Sequence, residues 1–204
     1  MVDLSKWADR IANAGVLLIG CSAGGFQLLC EIIMKLRKNF PLPVIVVIHR
    51  SRKHKSTIEA QINSKSNVKV IAAADKDVLK SGTVYFAPCD YHLLLEPGNT
   101  LTLDSSEPIL YSRPSIDVTF ESVADVFNNK VIALLLSGSN CDGANGMKYV
   151  HARGGMCVVQ NPLDASFKTM PEEALKKSPA DLILNNLEIF SFMDHLATIN
   201  NRQS

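Results

Sequence analysis

Short aliphatic runs alternate along the chain with longer segments in which apolar residues recur every three or four positions. The runs occupy residues 16–19, 44–48, 68–72, 83–87, 131–136 and 156–159. Strands this uniformly apolar suit a parallel sheet buried on both faces, and the intervening segments are long enough for crossover helices. After the first run, Phe26, Leu28, Leu29, Ile32, Ile33 and Leu36 keep helical spacing until Asn39-Phe40-Pro41 ends it. Further helices are predicted over 57–62, 114–127, 143–153 and 170–177, with a last one over 187–199. Segment 91–104 follows a different rule: its residues alternate about Pro97-Gly98-Asn99, which predicts a β-hairpin attached to the main sheet. No repeat or flexible linker interrupts the pattern. The expectation is a single domain over 1–204 with its core at about 16–190, of three-layer α/β/α class. Its sheet is doubly wound and mostly parallel, with the hairpin attached.

Composition narrows the function classes. Hydrophobic residues make up 47% of the 204 positions and charged residues 20%, which excludes a disordered chain. The 21 Lys and Arg against 20 Asp and Glu leave a formal charge of +1, so a dedicated nucleic-acid binder is not expected. The five cysteines, Cys21, Cys30, Cys89, Cys141 and Cys157, are odd in number and form no C-x-x-C. They read as reduced thiols of an intracellular protein, and with the histidines they offer no metal-ligand spacing. Residues 1–15 lack the apolar centre of a signal peptide, and the longest aliphatic run is far below the ~18 residues that span a bilayer. A cytoplasmic protein without membrane insertion is therefore expected.

Three strand ends carry candidate chemistry. The first run leads into Gly20-Cys21-Ser22-Ala23-Gly24-Gly25-Phe26, a glycine-rich turn that opens a helix. Such a turn can lift the Ser22 hydroxyl to the carboxyl edge of the strand, with the amides of Ala23 to Gly25 aimed at the same point. It is open to three readings: a plain tight turn, an anion or nucleotide site at a helix N-terminus, or a nucleophile beside oxyanion donors. The run at 44–48 delivers His49, and the run at 131–136 leads through Ser137-Gly138-Ser139-Asn140-Cys141 to Asp142. In a parallel sheet all three ends lie on one edge, the edge where such folds place their sites. Ser, His and Asp supply what acyl transfer needs: a nucleophile, a base and a carboxylate that fixes the imidazole tautomer. Asp142 also stands where a cap of the 143–153 helix is expected.

Taken together, the segments resemble the catalytic domain of the chemotaxis protein-glutamate methylesterases (CheB). The resemblance runs from Val16 to beyond Ala174. It rests on Ile19-Gly-Cys-Ser-Ala-Gly-Gly25, Val46-Val-Ile-His49, Gly82-Thr-Val-Tyr-Phe-Ala-Pro88 with His92, and Ser112-Arg-Pro-Ser-Ile-Asp-Val118. Asp142-Gly-Ala-Asn-Gly-Met147, Gly154-Gly155, Gln160 and Met170-Pro171 continue it. It implies Ser22 as nucleophile, His49 as general base and Asp142 as its orienting partner. The implied reaction is hydrolysis of glutamate γ-methyl esters on the cytoplasmic helices of methylated chemoreceptors, with glutamine deamidation as a candidate second activity. It implies no metal or organic cofactor.

The chain departs from the family pattern at several points. Ala23 stands where the family usually has Thr, Gly138-Ser139-Asn140 where it reads G-M-G, Arg50 for Met, and Thr169 for Gly. A catalytically weakened binding or scaffold domain and a nucleotide-binding α/β domain are the alternative readings. Family members usually carry an N-terminal receiver domain of on the order of 100 residues. Only 15 residues precede the first run here, so regulation is expected from a separate receiver or signalling protein. The basic group Arg50, Arg52, Lys53, His54 and Lys55 is either a solvated loop or a docking patch for an acidic receptor surface. Arg113 and Ser115 read as a helix start or a substrate contact, and His92 is placed near the site without a catalytic role.

Overall fold

Each of the six aliphatic runs becomes a strand in the computed structural model, which describes residues 3–49 and 58–199. In chain order the elements are α1 (Ala8–Ala12), β1 (Val16–Cys21), α2 (Phe26–Lys35), β2 (Val44–Ile48) and α3 (Ile58–Asn63). Then come β3 (Lys69–Ala72), β4 (Thr83–Phe86), β5 (His92–Glu96), β6 (Thr100–Asp104) and α4 (Ile116–Phe127). The chain continues with β7 (Val131–Leu135), α5 (Ala144–Ala152), β8 (Met156–Gln160), α6 (Thr169–Lys177), β9 (Leu182–Leu184) and α7 (Asn186–Ile199).

Seven strands form one sheet in the order β3-β4-β2-β1-β7-β8-β9, and every neighbouring pair is parallel. The chain begins at the centre with β1, lays β2 beside it, β3 at the edge and β4 between them, then returns to the other side of β1 for β7. Strand order therefore reverses between β1 and β7, and the crossovers diverge there to leave a crevice at the carboxyl ends.

The continuous apolar runs follow from burial on both faces. Leu17 and Ile19 of β1 join Leu29 and Ile32 of α2 and Phe192 and Leu196 of α7 in one core. Their neighbours Val16 and Leu18 join Phe120 of α4 and Met147 and Val150 of α5 in the other. Burying each such side chain fully stabilises the fold by roughly 1.5–3 kcal/mol, so a polar residue at any of these positions would be costly.

The hairpin forms in the expected place, but it is not attached to the main sheet: β5 and β6 are a separate two-stranded sheet. Its apolar side, including Leu93, Leu95 and Leu101, packs into the core on the α4 side. Ser122 of α4 locks it there, accepting from the Leu95 amide at 2.7 Å and donating to the Leu95 carbonyl at 3.2 Å. Of these helices and strands, α1 and β9 were not predicted. The five residues of α1 are too few to display a period, and β9 is a three-residue edge strand whose Ile183 is exposed. Arg10 of α1 is held by Asp181 just before β9 (Nη1 to Oδ1 2.7 Å) and by the Gly155 carbonyl (2.8 Å). Among the described residues no helix is long and apolar enough to cross a membrane.

Helices α4 and α5 meet closely at Gly146. A Cβ there would lie 2.8 Å from Phe120 Cβ and 3.0 Å from the Asp117 Cα, so the two backbones would have to separate. Gly146→Ala is expected to destabilise the protein by about 1–3 kcal/mol in denaturant unfolding, despite the higher helix propensity of alanine.

Candidate active site

Ser22, His49 and Asp142 follow β1, β2 and β7, three adjacent strands at the order reversal, and the structure brings their side chains together. Ser22 Oγ lies 3.1 Å from His49 Nδ1, and His49 Nε2 lies 2.7 Å from Asp142 Oδ2. Asp142 is ionised in this setting, so Nε2 carries the proton that it donates to the carboxylate. Nδ1 is then left with its lone pair facing the serine hydroxyl. The ring is 13% exposed and Asp142 is fully buried, so the carboxylate end of the relay is dry and the serine end opens to the surface.

A buried carboxylate needs donors, and Asp142 has several. Its Oδ1 accepts from Ser115 Oγ (2.9 Å), the Asp117 amide (3.0 Å) and the Gly143 amide (3.0 Å). Its Oδ2 accepts from the Ile116 amide at 2.7 Å besides His49. The expected cap of its own helix is thus not formed: the N-cap of α5 is Gly143, and the Asp142 carboxylate lies over the first turn of α4. There the unpaired first-turn amides of α4 find an acceptor and the carboxylate finds its counter-dipole. Burial alone would push the Asp142 carboxyl up. The hydrogen bonds from His49 and from the Asp117 and Ile116 amides outweigh it, and the group titrates below the usual carboxylate range. Asp117 goes the other way. Burial raises it, the neighbouring Asp142 charge adds to the rise, and the Gly146 amide at 2.7 Å compensates only in part.

Of the groups that hold this socket together, the sequence marks Ser115 as a helix start and His92 as near the site, but not their contacts with the carboxylate's support. Ser115 has an extended backbone and caps α4, accepting from the Val118 amide at 3.5 Å, so the helix begins at Ile116 and not at Pro114. Its hydroxyl donates to Asp142, which makes it part of the carboxylate's support and not a substrate contact. His92 is almost fully buried: Nδ1 accepts from the Ser115 amide (3.1 Å) and Nε2 donates to the Glu107 carbonyl (3.1 Å). The hairpin thereby reaches the Asp142 support through His92. Arg113 is a loop clamp, with Nη1 donating to the carbonyls of Ser105 (2.6 Å) and Ser106 (2.7 Å).

On the serine side, the turn is set by close packing. Gly24 has φ +75°, and a Cβ there would fall 2.5 Å from Ser166 Cβ; one on Gly25 would fall 2.9 Å from the Ser137 carbonyl. Only glycine fits either position without moving the turn. Ser137 staples it: its carbonyl accepts from the Ser22 amide (2.9 Å), and its hydroxyl donates to the Ala23 carbonyl (3.0 Å). The expected trio of outward amides is reduced, because the Gly25 amide donates to the Ser22 carbonyl at 3.1 Å. That also leaves fewer donors for a bound phosphate.

The five cysteines form no disulfide; Cys21 is buried and Cys141 half-buried beside the site. Ligand atoms of His151, Cys157 and Asp181 come within 4.8 Å of one another. Their chemistry is that of an ion pair: Arg10 occupies Asp181, and burial, with the Asp181 charge, pushes the Cys157 thiol up to about 12. The basic group at 50–55 lies outside the described residues.

The CheB methylesterase family profile matches residues 17–193. A Leptospira interrogans chain is 37% identical over 173 residues, covering 85% of this chain and 90% of that one. A Thermotoga maritima relative, protein-glutamate methylesterase/protein-glutamine glutaminase, is 34% identical over 172 residues, with 83% of this chain and 50% of that one covered. The crystal structure of the Thermotoga maritima CheB methylesterase catalytic domain superposes with a TM-score of 0.85 at 32% identity, covering 90% of this chain and 98% of that one.

The folded state holds the Asp142 carboxyl below its ordinary value of 3.8, so the charge stabilises the fold above that pH. The contribution is lost as pH falls through the lowered folded value. Asp142→Asn turns an amide towards donors that need an acceptor, and is expected to cost about 1–3 kcal/mol at neutral pH. Denaturant unfolding at stepped pH should show the gap to wild type closing in acid; a gap independent of pH would contradict the assignment.

Proposed function

The chain belongs to the CheB methylesterase family, and we propose that Ser22, His49 and Asp142 carry its hydrolysis of glutamate γ-methyl esters on methylated chemoreceptor helices. The observation that carries the reading is the continuous relay from Ser22 Oγ through both ring nitrogens of His49 to Asp142.

Each group has a defined task. His49 Nδ1 accepts the Ser22 proton as Oγ bonds to the ester carbonyl carbon, and the carbonyl oxygen takes up the negative charge. Asp142 compensates the imidazolium, through the hydrogen bond it already makes to Nε2. As the tetrahedral intermediate collapses, Nδ1–H passes its proton to the departing methoxy group, which leaves as methanol. A water molecule then gives a proton to Nδ1 and attacks the glutamyl-serine ester. Nδ1–H returns that proton to Ser22 Oγ as the ester bond breaks, and the glutamic acid released loses its own proton to solvent. The same sequence deamidates glutamine, with ammonia as the leaving group. No step requires a metal or an organic cofactor.

The receptor helices lie in the cytoplasm, which places the reaction there. Arg50, Arg52, Lys53 and Lys55 follow the catalytic histidine directly in sequence. A basic segment at that position suits the acidic surface of a receptor methylation helix, and would aid encounter more than affinity.

Ser22→Ala removes the nucleophile and little else. Methanol release from methylated receptor is expected to fall at least about 10³-fold, with the melting temperature unchanged. Release at the wild-type rate would overturn the assignment.

A further inference from the structure

Hydrolysis by this route puts charge on the substrate oxygen, and the turn that bears Ser22 spends its Gly25 amide internally. The geometry points to a side-chain donor for that charge: we propose that the carboxamide of Asn140 stabilises the oxyanion. The proposal rests on the hydrolytic reading of Ser22, His49 and Asp142.

Asn140 lies on the loop between β7 and α5, half-buried, two residues before Asp142. The orientation of its amide is set, because the Asp142 backbone amide donates to Asn140 Oδ1 at 3.3 Å. Nδ2 therefore faces the other way, 3.5 Å from His49 Nδ1. That is the ring nitrogen Ser22 Oγ touches at 3.1 Å. Two donors, one hydroxyl and one amide, thus converge on a single lone pair. The hydroxyl is closer and takes it, and the amide makes at best a long, weak bond.

The chemistry reverses this competition. Once Nδ1 has received the Ser22 proton it is a donor, and Asn140 Nδ2–H loses the only acceptor it faces among the described residues. At the same moment an anionic oxygen forms on the carbon just bonded to Ser22 Oγ. The amide N–H is thus under-used in the resting site and acquires a strong acceptor only as the tetrahedral intermediate develops. A donor whose hydrogen bond strengthens only then lowers the barrier without tightening substrate binding. Asn140 is by this account a catalytic residue, and its Oδ1 bond to Asp142 keeps the amide aimed.

Two substitutions separate donating from anchoring. Asn140→Ala removes both amide functions. Asn140→Asp keeps an oxygen for the Asp142 amide but has no N–H to offer. Two rates are compared at the pH optimum of each variant: covalent labelling of Ser22 by a fluorophosphonate, whose phosphoryl oxygen stands in for the oxyanion, and methanol release from methylated receptor. Both variants are expected to slow labelling at least tenfold and to lower kcat about 10²–10³-fold. KM should stay within twofold and the melting temperature unchanged. Labelling and kcat near wild type in both variants would overturn the proposal. So would a loss confined to Asn140→Ala, which marks an anchor, or a loss expressed in KM. Failure of the wild-type protein to label at Ser22 would instead overturn the hydrolytic reading, and this proposal with it.

Discussion

The site depends on one buried carboxylate. Asp142 is surrounded by donors that no other nearby group can satisfy: two first-turn amides of α4, the Ser115 hydroxyl, its own neighbour's amide and the His49 ring. Deep burial of a charge is tolerated only with this kind of compensation. The same hydrogen bonds that make the charge tolerable also fix where His49 stands and which nitrogen it turns to Ser22. Structural support and chemical orientation are therefore the same set of contacts.

The rest of the fold serves to bring that carboxylate and the serine turn to one crevice. The order reversal between β1 and β7 separates the two crossovers and leaves room at the strand ends. Glycines at 24 and 25 let the serine turn pack against Ser137 and the 166–167 loop, and Gly146 lets α5 approach α4 closely enough for Asp117 to receive its amide. The hairpin contributes from outside the sheet, through Ser122 to α4 and through His92 to Ser115. The supports fall into two sets. Gly146, Ser122 and His92 reach the carboxylate through α4 and its cap, so a change there is transmitted to Ser22 by way of His49. A change at Gly24, Gly25 or Ser137 acts on the Ser22 turn directly.

What was legible in the sequence was what depends on local order. Apolar runs gave six strands, helical spacing gave α2 to α7, and strand ends gave Ser22, His49 and Asp142. What was not legible depends on contacts between distant segments. Ser115 and Asp142 are 27 positions apart, and nothing in the neighbourhood of either residue announces the other. The same holds for His92 and Ser115, 23 apart. The alternation of the hairpin showed that it would form, but not that its apolar side would pack into the core on the α4 side with its strands unpaired to the main sheet. Besides its place in the triad, Asp142 stands in the sequence where a cap for the helix that follows it is expected, because capping is a local rule. The structure gives its carboxylate to α4, where more unpaired amides are available.

The relay requires that Asp142 hold His49 in the tautomer that leaves Nδ1 free for Ser22. Nitrogen-15 NMR of histidine-labelled protein, at a pH where the His49 ring is neutral, reads that tautomer directly. Protonated Nε2 with unprotonated Nδ1 is the predicted result, reverting to tautomer exchange in Asp142→Ala. A His49 ring protonated on Nδ1, or one that averages between both forms in the wild-type protein, would contradict it.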